Sequence, residues 1–461
     1  MPVRVRFFFS GLIHDLVRLR SDRRGNVAVM MGFLFVPLLG ALGVAFEVGN
    51  WYLITRAMQN AADSAAVAAA TNGSSSYATE AKAVAASYGY VDGTNSVTVT
   101  ASNTATCPSG GNTCYSVTIT SEVSLLVSQV IGYGGNATLN GAPAQKLTST
   151  AIATQSTQQV PLCMLALGAS GITEALTGNG TPNANLAGCN IMSNTGANCN
   201  GHNLQADHGL AHTTDSGCGV DQVSNVPTVT DPYSGLVSNI PTNNCPSTYS
   251  TNTYPQEGSG PHPSADPRNR LTGSYSWSGN QIFCGDMQLT GDVTINAPSG
   301  AVLVVENGQL DLNGHNLITA NGSYLTIVFS GDSGSYTHSA TNTSSHAGTL
   351  NITAPIGTTS SPNVWSGVAV YQDPRLTSGV DINYAGNNPT WDITGLVYAP
   401  HSSVTFSGAV NKSSNGASCF VMVADNFAIN GTGSIFDTGG CSSAGLTMPL
   451  ATIPTRGQLV H

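Results

Sequence analysis

The chain has 461 residues, and at roughly one domain per 150 residues this predicts two or three domains. Only 8% of the residues are charged, against about 25% in typical soluble domains, so Gly, Ser, Thr and Asn must make the surface polar, which is unlike a cytosolic enzyme. The net charge is −10, and six of the fourteen basic residues (Arg4, Arg6, Arg18, Arg20, Arg23 and Arg24) fall within the first 25; the rest lacks the clustered Lys and Arg that nucleic acids require, which excludes a nucleic-acid partner.

Residues 1–25 form a basic segment, followed by RRGNVAVMMGFLFVPLLGALGVAFEVG from Arg23. Val27 to Phe46 carries no charge, and at about 1.5 Å per residue a helix of this length spans the roughly 30 Å hydrocarbon core. Pro37 and the glycines inside it are tolerated in bilayer helices. A cleaved secretory signal has a shorter apolar region, about 7–15 residues, and the nearest A-x-A site, Ala66-Val67-Ala68, lies well beyond this run inside a helical stretch. The expectation is a single-pass inner-membrane anchor in a bacterium with the lipid bilayer as partner, the arginine flank cytoplasmic and the rest exported, periplasmic or extracellular. None of the ten cysteines precedes the run, in keeping with export. Cys107 and Cys114 bracket the turn PSGGNT between NSVTVTA and CYSVTIT, which predicts a disulfide. The other eight allow 105 pairings, and taken in sequence order the last two join Cys419 to Cys441.

Residues 26–71 continue past the membrane as an amphipathic helix, with Trp51, Ile54, Met58, Ala61, Ala65 and Ala68 at alternating spacings of three and four. The chain's own sheet is the expected partner of this stripe, since the heptad-like run is too short for a coiled coil. The series RRGNVAVM, Pro37, Glu47 and Gly49, then WYLITRAMQNAADSAAVAAA, resembles the N-terminal segment of the TadE/TadG-like Flp-pilus-assembly family. That resemblance implies a small α+β unit over 72–158, built from NSVTVTA, CYSVTITSEV, SLLVSQVIG and KLTSTAIAT. It also implies work in Flp-type pilus assembly or surface attachment, with other pilus-assembly or cell-envelope proteins as partners. Pilin-like members carry a glutamate at the fifth position after the glycine that is cut; counted from Gly25 that position holds Met30, which favours an anchored TadG-like protein over a filament subunit. A DxSxS metal motif, as some TadG-like proteins carry, is absent, because Asp332-Ser333-Gly334-Ser335 has the wrong spacing.

Residues 159–242 read as a loop-rich linker, with VTDPYSGL as a turn and boundary. In 243–449 a run of short strands, GDVTINA, AVLVVEN, QLDLNGHNL, SYLTIVFSG, TLNITAP, SGVAVYQD, VDINYAG, WDITGLVYAP, SSVTFSGAV and CFVMVADNFAING, is punctuated by turn residues. Asn307-Gly308, Asn313-Gly314, Asn321-Gly322 and Asn430-Gly431 supply tight corners, which favours a β-solenoid, with a β-sandwich as the alternative. Residues 450–461 form a tail. The fold class is therefore an α+β N-terminal unit carrying a long helix, followed by a mainly-β body.

Two clusters could carry chemistry. HNLQADHGLAH offers His202, His208, His212 and Asp207, a possible zinc set, but Gly209 between the paired histidines makes a helix doubtful, so no metal site is assigned. Asp373, Arg375, Asp381 and Asp392 are the best candidates for glycan cleavage, although Asp373-Pro374 reads as a turn with Arg375 as its ion partner. No phosphate loop, GxSxG elbow or HExxH helix occurs. The expectation is a protein without catalytic residues or cofactors, with surface glycans as a further candidate partner; a membrane-tethered carbohydrate-active enzyme or a secreted adhesin is the alternative.

Overall fold

A computed structural model describes residues 25–108, 113–179, 184–200, 203–245, 269–331, 340–341, 348–357, 363–376, 381–385, 391–407, 419–430, 433–434, 441 and 445–460. The chain divides into one unit of residues 1–157 with 454–461 and a second of 158–453.

The first unit is built on the helix Gly25–Asn72, about 72 Å long at 1.5 Å per residue. Its two halves bury different things. Val29 to Phe46 is apolar and exposed, with Phe33, Val36 and Phe46 each over 70% accessible, whereas Met58, Ala61, Ala62, Ala65, Ala66, Ala69 and Ala70 are fully buried. The buried stripe is wider than the spacing predicts and ends on Ala69 and Ala70 rather than Ala68. The alanines let the helix lie close to the sheet and to the second helix, Tyr77–Ser87, which contributes Ala81 and Ala85. The sheet is antiparallel: Val97–Ala105 pairs with Cys114–Ser124, which pairs with Ala142–Thr154. Alternation sends Val97, Val99, Val117, Ile119, Ala151 and Ala153 inward onto the helix, so its partner is the chain's own sheet. The expected tail is not free: Gln458–Leu459 adds an antiparallel strand on Ala142–Thr154, and Gly457 N–H donates to Thr71 Oγ1 at 2.8 Å.

The second unit is mainly β and pairs in parallel. One ladder runs from Gly279–Cys284 to Ala301–Glu306, Leu325–Ser330, Val368–Gln372, Trp391–Ser407 and Phe420–Ile429. It then continues onto earlier residues, Thr157–Ala166, Asn190–Ser193, His208–Ala211 and Asp221–Val223. The linker expected over 159–242 is thus a run of rungs in the same ladder. Its strands are only two to ten residues long, so no periodicity stood out among the glycines and asparagines of their corners. Parallel register stacks like on like. Leu303, Ile327, Val370, Val397, Met422, Met164 and Ile191 form an inward column in one apolar cluster. Val304, Val328, Tyr371, Tyr398, Val423, Leu165, Met192 and Leu210 form the opposite column in another. Strands buried on both faces account for unbroken apolar words such as AVLVVE and LTIVFS.

The outer column is covered by DPYSGL and by the C-terminal segment carrying Leu446, Ala451 and Ile453. Asp231 makes the clasp: it accepts Tyr398 Oη at 2.7 Å and the N–H groups of Tyr233 and Ser234, while Tyr371 Oη donates to the Tyr233 carbonyl at 2.9 Å. Tyr371 stacks on Tyr398 with centroids 4.7 Å apart. Burial, with Asp231 close by, raises the Tyr398 and Tyr233 hydroxyls above their ordinary pKa, so all these phenols stay protonated donors. The corners use left-handed backbone at Asn313 and Gly314 (φ 48° and 77°), as Asn-Gly predicts; Gly431 lies outside the described residues.

All ten cysteines are paired: Cys107 with Cys114, Cys163 with Cys189, Cys199 with Cys218, Cys245 with Cys284 and Cys419 with Cys441.

Candidate functional site

The boundary between the two halves of the long helix concentrates the features that bear on function. The helix is the one among the described residues that is long and apolar enough to cross a membrane. Val27 lies in its first turn and Phe46 marks the end of its uncharged run; Phe46 is exposed, but Glu47, one residue on, is 3% exposed. The Glu47 carboxylate accepts three consecutive backbone N–H groups, from Leu126 (2.6 Å), Val127 (3.0 Å) and Ser128 (2.8 Å). Those residues open the short 3-10 turn Ser128–Ile131, whose first N–H groups would otherwise lack acceptors. One turn closer to the N-terminus, Gly43 allows the loop to approach: a Cβ there would lie 2.6 Å from Val127 Cγ1. A shallow apolar groove continues along the helix past Gly40, Val44, Val48 and Tyr52 and is bordered by Ile131. Further along, Trp51 meets Tyr133 with ring centroids 6.0 Å apart, and the Arg56 guanidinium sits 5.8 Å over Tyr52. The sequence singled out Glu47 only as part of a motif; its partners, some 80 residues away, gave no local signal.

The candidates in the second unit are placed apart. Asp373 is fully buried and accepts the Arg375 N–H and its guanidinium, Nη2 at 2.6 Å, together with Ser330 Oγ at 2.8 Å. Burial alone would raise this carboxyl, but the bonds from Arg375 and Ser330 outweigh it and hold the group below its usual range. It is the ion-paired turn that Asp373-Pro374 suggested, with its lone pairs committed. Asp392 lies at the start of Trp391–Ser407, where that strand pairs with Thr349–Thr353 and not with Val368–Gln372, and it accepts Asn351 Nδ2 at 3.2 Å. Asp381 opens the strand Asp381–Ala385, and its side chain is outside the described residues. Among the histidines, His208 lies in the strand His208–Ala211 with Nδ1 3.0 Å from Asp221, His212 Nδ1 contacts the Val226 carbonyl at 2.9 Å, and Asp207 accepts Gly188 N–H. A strand separates i and i+4 by about 13 Å, so these two histidines do not converge. His202 and the Asp332–Ser335 stretch are outside the described residues. Among the described residues no group of three His, Cys, Asp or Glu could hold a metal.

Two family models match parts of the chain. Residues 25–72, the whole of the long helix, match the family model for Flp pilus-assembly TadE/G-like proteins. Residues 262–437 match a second family, described as a domain of unknown function, DUF7305. No curated protein and no solved structure matches the chain.

Proposed function

We propose that this is an inner-membrane-anchored, exported, non-catalytic protein that assists Flp-type pilus assembly or attachment at the cell surface. The observation that carries the reading is coincidence: the TadE/G-like match covers the same 48-residue helix whose first half is apolar and exposed and whose second half is packed on its own sheet. The arginine-rich flank supports a cytoplasmic N-terminus, and cysteines that are all paired support an oxidising compartment for the rest. Parallel register carried through successive rungs supports a β-solenoid body, and the involvement of Asp373 and Arg375 in one satisfied turn supports a scaffold rather than a hydrolase. Envelope proteins of the pilus machinery are its partners in this reading, and surface glycans a second class. An export-dependent reporter fused after Met448 should be active, and removal of residues 25–46 should abolish both its activity and surface piliation. An inactive reporter on the intact, stably produced fusion, or normal piliation without the anchor, would sink the reading.

A further inference from the structure

We propose that residues 126–133 form a second membrane-contacting element, an apolar collar seated at the boundary of acyl chains and headgroups beside the helix; it rests on the anchor reading above. Depth is the first argument. Val127 packs on Gly43, four residues before Glu47, which places it about 6 Å along the helix axis toward the membrane side. Ile131 borders the groove that begins at Gly40. Both positions lie beside the uncharged run that would itself be in lipid, and interfacial elements bury their apolar faces by about 5–10 Å.

Exposure is the second argument. Leu126 is 72% exposed, Val130 85% and Ile131 62%, three open apolar side chains on a loop only eight residues long, and no charged residue occurs between Glu122 and Lys146. Water would penalise that surface; lipid would cover it.

The backbone supplies the third. A segment entering a region without water needs its N–H groups satisfied internally. Glu47 takes the first three, and Val130, Gly132 and Tyr133 donate to the carbonyls of Val127, Gln129 and Ser128 at 3.0 Å each. Tyr133, Trp51, Tyr52 and Arg56 then supply the aromatic and cationic rim that marks a headgroup layer. Glu47 in this arrangement is a positioning residue: it fixes the collar at one height on the helix.

The test uses the full chain in vesicles of phosphatidylethanolamine and phosphatidylglycerol, with plain or brominated acyl chains, and reads the added emission of single tryptophan substitutions. Leu34→Trp reports the span and Val220→Trp, on an exposed site of the second unit, the background. Val130→Trp and Ile131→Trp should be quenched by brominated chains nearly as strongly as Leu34→Trp, with Val220→Trp unaffected. Both positions are open, so the larger ring needs no repacking. If Leu34→Trp is quenched while both collar variants are not, the proposal falls and the anchor stands, whether their emission is red-shifted as in water or blue-shifted as against a second copy. If Leu34→Trp escapes quenching too, the anchor reading falls with it.

Discussion

The two units solve one problem, covering a sheet, in opposite ways. In the first, an antiparallel sheet buries one face on a helix of alanines, and inward and outward residues alternate along each strand. In the second, a parallel ladder buries both faces, one among its own rungs and the other beneath DPYSGL and the C-terminal segment. A single element dominates stability in the first; in the second the load is spread over stacked side chains, and the covering segment is pinned by tyrosines rather than by a helix. The contrast can be broken most severely at Tyr371, which is fully buried, stacks on Tyr398 and holds the Tyr233 carbonyl. Tyr371→Ala should cost about 3–5 kcal/mol, as large aromatic truncations do. Hydrogen exchange should rise across the peptides of 158–453 and stay unchanged in the sheet of the first unit; equal loss in both would show that the two do not unfold separately.

Next in size is Glu47→Ala, which strands three buried or half-buried N–H donors and should cost about 3 kcal/mol locally. Here the readout is narrow: amides of Leu126, Val127 and Ser128 should exchange faster while Tyr371 and its neighbours do not change. Glu47→Gln keeps one acceptor oxygen and should lose less. Uniform protection in Glu47→Ala would mean that the carboxylate does not hold the turn. A smaller effect is expected from replacing Cys107 and Cys114 together by serine, since a crosslink spanning a separation of seven residues contributes about 2.5 kcal/mol by loop entropy. The loss should appear at the paired ends of Val97–Ala105 and Cys114–Ser124 and leave the packing of Met58 and Ala62 intact.

The difference between the units also decides what could be read from sequence. Long strands with alternation, NSVTVTA and CYSVTITSEV, and the three-and-four spacing of Met58, Ala61 and Ala65 show themselves locally, because each is a property of neighbours on one chain segment. The later rungs were legible as strands for the same reason, down to the Asn-Gly corners. Residues 159–242 were not: Asn190–Ser193 and His208–Ala211 are too short for a period, and the ladder they join continues through Thr157–Ala166 onto Phe420–Ile429, more than 200 residues later. The i, i+4 histidines misled through the same gap, since four residues apart means one face of a helix but about 13 Å along an extended chain. The clasps at Glu47 and Asp231 share a physical cause of concealment, a carboxylate whose worth is set by distant donors.

The least expected effect comes from a carboxyl with no such clasp. Asp286 sits at a corner before the strand Met287–Asn296, 7% exposed, with one backbone donor, Gln309 N–H at 3.1 Å, and no cation among its partners. Burial pushes its pKa up to about 7, opposed by the Gln309 bond and assisted by the negative charge of Asp311. Asp373, also buried but paired with Arg375, moves the other way, so the pair isolates what a counter-ion does to a buried carboxyl of the second unit. Between the unfolded pKa near 3.8 and the folded value, native Asp286 holds a proton that the unfolded chain has released. Its contribution is therefore present below about pH 4 and is lost as pH rises toward 7. Asp286→Asn keeps the acceptor for Gln309 and cannot ionise, so the stability of the second unit should become flatter across that window and higher than the parent's at neutral pH. Denaturant midpoints followed from pH 4 to 8 measure this directly, and a variant whose pH profile is parallel to the parent's would show that Asp286 is already ionised and solvated in the fold.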